Sequence, residues 1–312
     1  MTLLKSLMII GVIALIGCAA TPQDIANSLV DKVDSNTEEG SNKISKIPYD
    51  LVTPSDAFVL DKDLNEISSL AYDESNNNFY TNDDESGKYF ILDGDNLKIK
   101  QEIKFAKKGD YESIEKVGDN IIVCNSSGTL HFYNMLTQKT TTHKTKLSSK
   151  NNVEGMCYDK SHNALLLACK GQPLIDKKTK KDKRYVYSFD LETKKLDSDP
   201  FLDIEIKTLE KFIEEHEEAA IKSERKKLMN RVEEFAPSGI VIDPVSRDYY
   251  IISARGSALV IFDKDKNLKD IKFLDSNIIP QPEGICFGSN NDLYISTEGQ
   301  GYSGKVFKFS SK

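Results

Sequence analysis

Apolar and polar residues alternate in short bursts along this chain, and the bursts return in the same order. "QPEGICFGSNNDLYISTEGQG", Gln281 to Gly301, shows the unit: Glu-Gly, an apolar run, a polar turn, an alternating run and a second Glu-Gly. Related copies are "ISSLAYDESNNNFYTNDDESGKYFILD" (67–93), "YESIEKVGDNIIVCNSSGTLHFYN" (111–134) and "VEGMCYDKSHNALLLACKG" (153–171), the last finished by "RYVYSFDLE" (184–192). "PSGIVIDPVSRDYYIISARGSALVIFDKD" (237–265) and "PEGICFGSNNDLYISTEGQGYSGKVFKF" (282–309) complete the series. Runs of about 5–6 residues separated by Asn/Asp/Ser/Gly turns predict strands. A period of roughly forty residues with about four strands per unit predicts the blades of a β-propeller.

Between copies lie "KIKQEIKF", "KTTTHKTKL" and "LKDIKFL", polar at alternate positions as an outermost blade strand should be. The final copy has no such strand, whereas "DAFVLD" (56–61) is a strand without a blade. It is expected to complete the last blade and close the ring, because an open propeller leaves sheet edges unpaired. The interval from Gly155 to Gly239 is about twice the usual spacing, so a sixth blade could be hidden there. Its composition argues for something else. "IKTLEKFIEEHEEAAIKSERKKLMNRVEEF" (206–235) lacks turn signals, and Leu209, Phe212, Ile213, Ala220, Ile221 and Leu228 follow helical spacing. The expected fold is therefore all-β, a single propeller of five blades over 47–312, with a helix or helix pair inserted at about 206–235.

In a propeller the first strand of every blade lines the central shaft, so equivalent residues form a ring. Ser68, Glu112, Glu154, Ser238 and Glu283 occupy one such position, and the residue behind each is Gly or Ser. Three converging glutamates repel one another unless a positive charge neutralises them. A ring of hard oxygen donors suits Ca²⁺, with its six to eight ligands and loose geometry. The other reading is a solvated or salt-bridged ring. A second tier is expected from the end of the next strand: Asp84 (with Asp83 and Glu85), Asn125, Lys170, Arg255 and Glu298. Lys170 and Arg255 there could neutralise the glutamates without metal or receive an anionic ligand.

Other motifs fail. "DKDKN" (263–267) imitates a calcium loop, but Leu268 and Leu274 stand where Gly and the bidentate Glu are required. "HEEAA" (216–220) lacks the second His of a zinc helix. His131, His143, His162 and His216 are scattered, and neither a Gly-x-Ser-x-Gly elbow nor a phosphate loop is present.

Composition changes the picture in three ways. The 312 residues carry a net charge of −7, which argues against nucleic acid as a partner. The N-terminus, "MTLLKSLMIIGVIALIGCAATPQD", has one Lys, an apolar stretch from Leu7 to Ile16 too short to span a bilayer, and the sequence Leu15-Ile16-Gly17-Cys18. These four residues resemble a bacterial lipobox, so 1–17 is expected to be a lipoprotein signal peptide, Cys18 a lipidated residue and 18–46 a flexible polar tether. An ordinary signal peptide or short anchor is the alternative. Ala19 and Ala20 give no inner-membrane retention signal, which favours the outer membrane of the cell envelope. Finally, Cys124, Cys157, Cys169 and Cys286 each sit inside an apolar run and are expected to be free, buried thiols.

The repeats "NNVEGMCYDKSHNALLLACKG", "FAPSGIVIDP" and "QPEGICFGSNNDLYISTEGQG" resemble the SdiA-regulated family of bacterial β-propellers, and the similarity runs from about Asp56 to Phe309. That resemblance implies a propeller distantly akin to NHL-repeat proteins, with a Ca²⁺ site. Its ligands transfer only to Glu112, Glu154 and Glu283, since Ser68 and Ser238 replace Glu in two copies. It implies no reaction. Two functions are then in play. One is a monomeric, membrane-tethered module binding a protein, glycan or small molecule. The other is a Ca²⁺-dependent hydrolase of lactonase, phosphotriesterase or phytase-like type, with Glu298 or Asp84 as base and Lys170 and Arg255 holding an anionic substrate.

Overall fold

A computed structural model describes residues 47–175, 182–216, 222–299 and 301–312. Residues 1–46, where a signal peptide, a lipidated Cys18 and a tether are expected, lie outside them. Turn chemistry sets the strand boundaries. Asp73 Oδ1 accepts hydrogen bonds from the backbone and hydroxyl of Ser75, and Asn77 carries the turn through a positive φ of 48°. Asn and Asp tolerate this conformation and cap their own turns. The same device recurs where Asp159 caps Ser161 ahead of Asn163 (φ 48°).

The strands so bounded assemble into five antiparallel sheets. After β1 (Asp56–Val59), the first complete blade is β2 (Ala71–Asp73), β3 (Asn78–Asn82), β4 (Lys88–Asp93) and β5 (Ile99–Lys104). The second is β6 (Tyr111–Val117), β7 (Asn120–Asn125), β8 (Thr129–Asn134) and β9 (Lys139–Lys144). The third is β10 (Val153–Asp159), β11 (Ala164–Cys169) and β12 (Lys183–Asp190), whose outer edge is shared by two short strands, β13 (Lys195–Leu196) and β14 (Leu202–Glu205). Helices α1 (Ile206–His216) and α2 (Lys222–Glu233) follow. The fourth blade is β15 (Gly239–Ile242), β16 (Tyr249–Ser253), β17 (Ala258–Phe262) and β18 (Leu268–Phe273). The fifth is β19 (Pro282–Phe287), β20 (Leu293–Thr297) and β21 (Lys305–Phe309), with β1 as its outer strand in the register Asp56↔Lys308 to Val59↔Lys305.

The expected ring closure by the segment around Asp56 is thus observed, and the long interval holds a helix pair rather than a sixth blade. Leu209 and Ile213 of α1 and Val232 of α2 are buried in the core between blades three and four, with Phe212 and Leu228 packed at its margin. Ala220 and Ile221 lie outside the described residues. Arg231 pins α2 to blade four: its guanidinium donates to the carbonyls of Gly256 (2.7 Å), Ser257 (2.5 Å) and Leu274 (2.7 Å) and lies over the Phe273 ring at 4.6 Å. Among the described residues no helix is long and apolar enough to cross a membrane.

Burial follows position within each blade. The inner strands β11, β16 and β19 are buried throughout and β10 at every position but Tyr158, whereas the outer β5 and β9 are mostly exposed. Successive blades meet through separate apolar clusters: Ile114, Tyr80 and Tyr89 pack between the first and second, Met156, Cys124 and Leu167 between the second and third. Cys124, Cys157, Cys169 and Cys286 are free and buried, as expected. Burial raises the thiol pKa of all four above the ordinary value, that of Cys169 to about 12.

Candidate functional site

The five first strands present their small residues to one another around the axis. A cavity there is lined by Ser69, Ser113, Ser238, Glu154 and Glu283 among others, and its volume of about 10 Å³ suits one water-sized occupant. Hydrogen bonds cross from blade to blade beside it. Asn82 donates to the Tyr111 carbonyl (2.7 Å), and the Ser238 hydroxyl donates to the Pro282 carbonyl (2.6 Å). Ser238 Oγ also accepts from the Ala254 amide (3.1 Å). Ser113 Oγ, lining the cavity, is buried without a hydrogen-bond partner.

Glu112 and Glu154 sit near the start of β6 and β10, where each inner strand carries a register irregularity, and Glu283 occupies the matching bulge on β19. The bulge re-aims a side chain that regular pleating would turn into a blade. The three glutamates share one electrostatic environment. Burial raises the Glu112 carboxyl far above the usual range, and the charges of Glu154 and Asp110 push it further. Burial raises Glu283 to about 8, partly offset by Lys170. Burial raises Glu154 too, against the opposing pull of Lys170 and Asn152.

Lys170 follows β11 directly, and its backbone amide is fixed to the Asn152 carbonyl (2.8 Å). Its Nζ donates to Glu154 Oε2 at 3.0 Å, while Asn152 Nδ2 donates to Glu154 Oε1 at 2.6 Å. Burial alone would lower the pKa of this ammonium, but the charges of Glu154, Glu283 and Glu112 outweigh it and the net shift is upward. Lys170 therefore leaves the second tier and joins the ring.

The rest of that tier divides. Asn125 caps its own turn, its Oδ1 accepting from Ser127 Oγ (2.8 Å) and the Thr129 amide (3.0 Å). Arg255 is exposed and near enough to Arg184 to depress the latter's pKa, which burial lowers first. Asp84 and Glu298 form an acidic rim with Glu66. Burial raises both carboxyls, Asp84 further through Glu85 and Glu66, Glu298 further through Glu66 and Asp84.

Four residues of the site lie outside the expected tiers: Asp110, Glu66, Asn152 and Glu115. Asp110, two positions before Glu112, accepts a hydrogen bond from the Ser126 hydroxyl and acts on both Glu112 and Glu154. Glu66 and Asn152 occupy the equivalent place in their copies, so a polar residue two before the ring position was a usable signal. Glu115 lies deeper on β6, and burial raises it to about 8 against hydrogen bonds from the Tyr158 and Lys116 amides. At the opposite end of the inner strands the blades are joined by ion pairs, Lys116–Asp73 (3.1 Å) and Arg247–Asp159 (2.7 Å).

The residues present do not fit the Ca²⁺ that the resemblance implies. Both oxygens of Glu154 are engaged by nitrogen donors, and the Ser238 hydroxyl is committed to backbone groups. Among the described residues no three or more His, Cys, Asp or Glu side chains are grouped to hold a metal ion.

Four four-stranded sheets and one of five strands, arranged around a charged axis, define a five-bladed β-propeller. A sequence profile described as SdiA-regulated matches residues 52–302, and the chain belongs to that family. No curated protein matches it. Among solved structures, it is similar to a luciferin-regenerating enzyme at 12% identity and TM-score 0.46, covering 79% of this chain and 92% of that one. It is also similar to Kuenenia stuttgartiensis hydrazine synthase, at 9% identity and TM-score 0.45, over 84% of this chain and 59% of the other. A chain of a nidogen/laminin complex matches at 11% identity and TM-score 0.45, over 74% and 72%.

Proposed function

We propose that this propeller is a non-catalytic binding module, exported and held at the cell-envelope membrane by lipid on Cys18, that meets a partner or ligand on its surface. The observation that carries the reading is the size of the axial cavity. About 10 Å³ admits a water, whereas pockets for small-molecule substrates run to several hundred Å³. A hydrolase of the lactonase or phosphotriesterase type would need its substrate beside the ring, and the side chains there already fill the space. Surfaces able to meet a partner lie elsewhere: the acidic rim of Glu66, Asp84 and Glu298, and a recess of about 260 Å³ between α1 and the β17–β18 hairpin, lined by Asp203, Thr208, Phe262 and Lys266.

Two measurements test this. Metabolic labelling with palmitate should mark the wild-type chain and not Cys18→Ser, which should also leave the membrane fraction; labelling that persists in the variant sinks the anchor. Lactone, aryl ester and phosphoester panels, run with Ca²⁺ and with EDTA, should show no turnover. Turnover lost in Glu154→Gln would establish a catalytic shaft instead.

A further inference from the structure

The five blades solve the same local problem at the axis in different ways, and the second blade solves it with no protein atom. We propose that the axial cavity is a binding site for one ordered water, held by Ser113 Oγ and by carboxyl oxygens of Glu154 and Glu283, which ties the second blade to the third and fifth.

The small residue behind each ring position is where the blades differ. In blade one it is Ser69, whose hydroxyl donates to Asn82 Oδ1 at 2.5 Å. In blades three and four it is Gly155 and Gly239, which bring no hydroxyl to satisfy. In blade five Gly284 stands there, and its amide donates to Ser296 Oγ at 2.9 Å. Blade two carries Ser113, and the residue opposite it on β7 is Cys124, whose thiol donates instead to the Asn125 carbonyl (3.3 Å). Ser113 is 1% exposed, and its hydroxyl has no hydrogen-bond partner among protein atoms. A buried hydroxyl left in that state loses its hydration with nothing in return.

The surroundings supply what a water needs. Ser113, Glu154 and Glu283 line one cavity of about 10 Å³, the room required by a single water. Both glutamates are only 7% exposed, so the site is shielded from bulk solvent. Glu154 Oε1 and Oε2 each accept one hydrogen bond, from Asn152 and Lys170, and every carboxyl oxygen can accept a second. The hydroxyl of Ser113 can donate or accept as the site demands. A water makes about three hydrogen bonds of either polarity, which matches one hydroxyl and two carboxyls. Because these groups come from β6, β10 and β19, the water also acts as a tie between blades that share no direct side-chain bond at this level.

This inference rests on neither the lipid anchor nor the binding reading, and it predicts a sign. The test uses the full chain in detergent. Oxygen-17 relaxation dispersion counts internal waters that exchange slowly, and wild type should hold one more than Ser113→Val, whose added carbon takes the water's place. Ser113→Ala keeps the space and removes the hydroxyl, so the water loses a hydrogen bond and the folding equilibrium constant should fall by about twofold to tenfold. Were the hydroxyl truly unanswered, its removal would raise that constant. An equal water count in wild type and Ser113→Val overturns the proposal, as does a gain of stability in Ser113→Ala. Should Ser113→Val fail to fold, crystals of wild type supply the second reading. Density within about 3.2 Å of both Ser113 Oγ and a glutamate carboxyl oxygen supports the water. Featureless density there overturns it, as does a peak that strengthens when rubidium replaces sodium, which would mark a monovalent cation.

Discussion

Gly239 of the fourth blade faces the Glu283 backbone of the fifth so closely that a Cβ on it would lie 2.6 Å from the Glu283 carbonyl oxygen. Gly155 makes the milder version of this contact, its virtual Cβ at 3.1 Å from the Gly239 backbone. The small residue behind each ring position is thus what lets neighbouring inner strands approach the axis. Gly239→Ala should destabilise the protein by about 1–3 kcal/mol, because backbone must shift to relieve the overlap. Gly155→Ala should cost less. Urea titrations of the two variants decide the order.

Stability should fall as pH rises through the neutral range. Glu112 and Glu283 have folded pKa values raised by burial, Glu283 to about 8, so between the unfolded value near 4.5 and the folded value the native state holds more protons than the unfolded one. Under that condition unfolding free energy decreases with pH, by up to about 1.4 kcal/mol per unit for each group. Lys170, whose pKa is raised, does not oppose this trend, since its contribution is lost only above about 10.5. Urea midpoints from pH 5 to 9 should decline for wild type and decline less steeply in Glu283→Gln, where Glu112 and Glu115 still hold their protons. A midpoint that rises over this range contradicts the assignment.

Arg231→Ala should loosen the inserted helices without opening the ring. Three carbonyls, on Gly256, Ser257 and Leu274, lose a charged donor. Hydrogen bonds to charged groups contribute about 1.5–3 kcal/mol each and are not additive, so a total loss of about 2–4 kcal/mol is expected. Hydrogen exchange should accelerate in Lys222–Glu233 while β15 and β16 keep their protection.

Native protein should be inert to thiol reagents at Cys124, Cys157, Cys169 and Cys286. All four are buried with raised thiol pKa values, and the thiolate is the reactive form. An aromatic disulfide reagent should modify them only as urea unfolds the ring, with the modification curve tracking the unfolding curve.

Most of the fold was legible because each blade repeats the same physics: a small residue, an apolar anchor, and an Asn/Asp turn. The helical insertion was equally plain, since Leu209 and Ile213 recur at helical spacing where turn residues are missing. The charged axis was legible only in part. Ring positions of Glu112, Glu154 and Glu283 followed from the repeat, but the fate of the residue at the end of the second strand did not. Lys170 pairs with Glu154, Asn125 folds back on its own turn, and Arg255 is exposed to solvent. These choices depend on side-chain rotamers and on neighbours from other blades, which no repeat period encodes.

The pairing of Asp56–Val59 with Lys305–Phe309 also has a bearing on how the molecule is made. β1 must wait, without its partner, until the four intervening blades and β21 have emerged. A product interrupted anywhere before β21 therefore keeps two raw edges open to pairing with another molecule, and the ring can lock itself shut only once β21 is made.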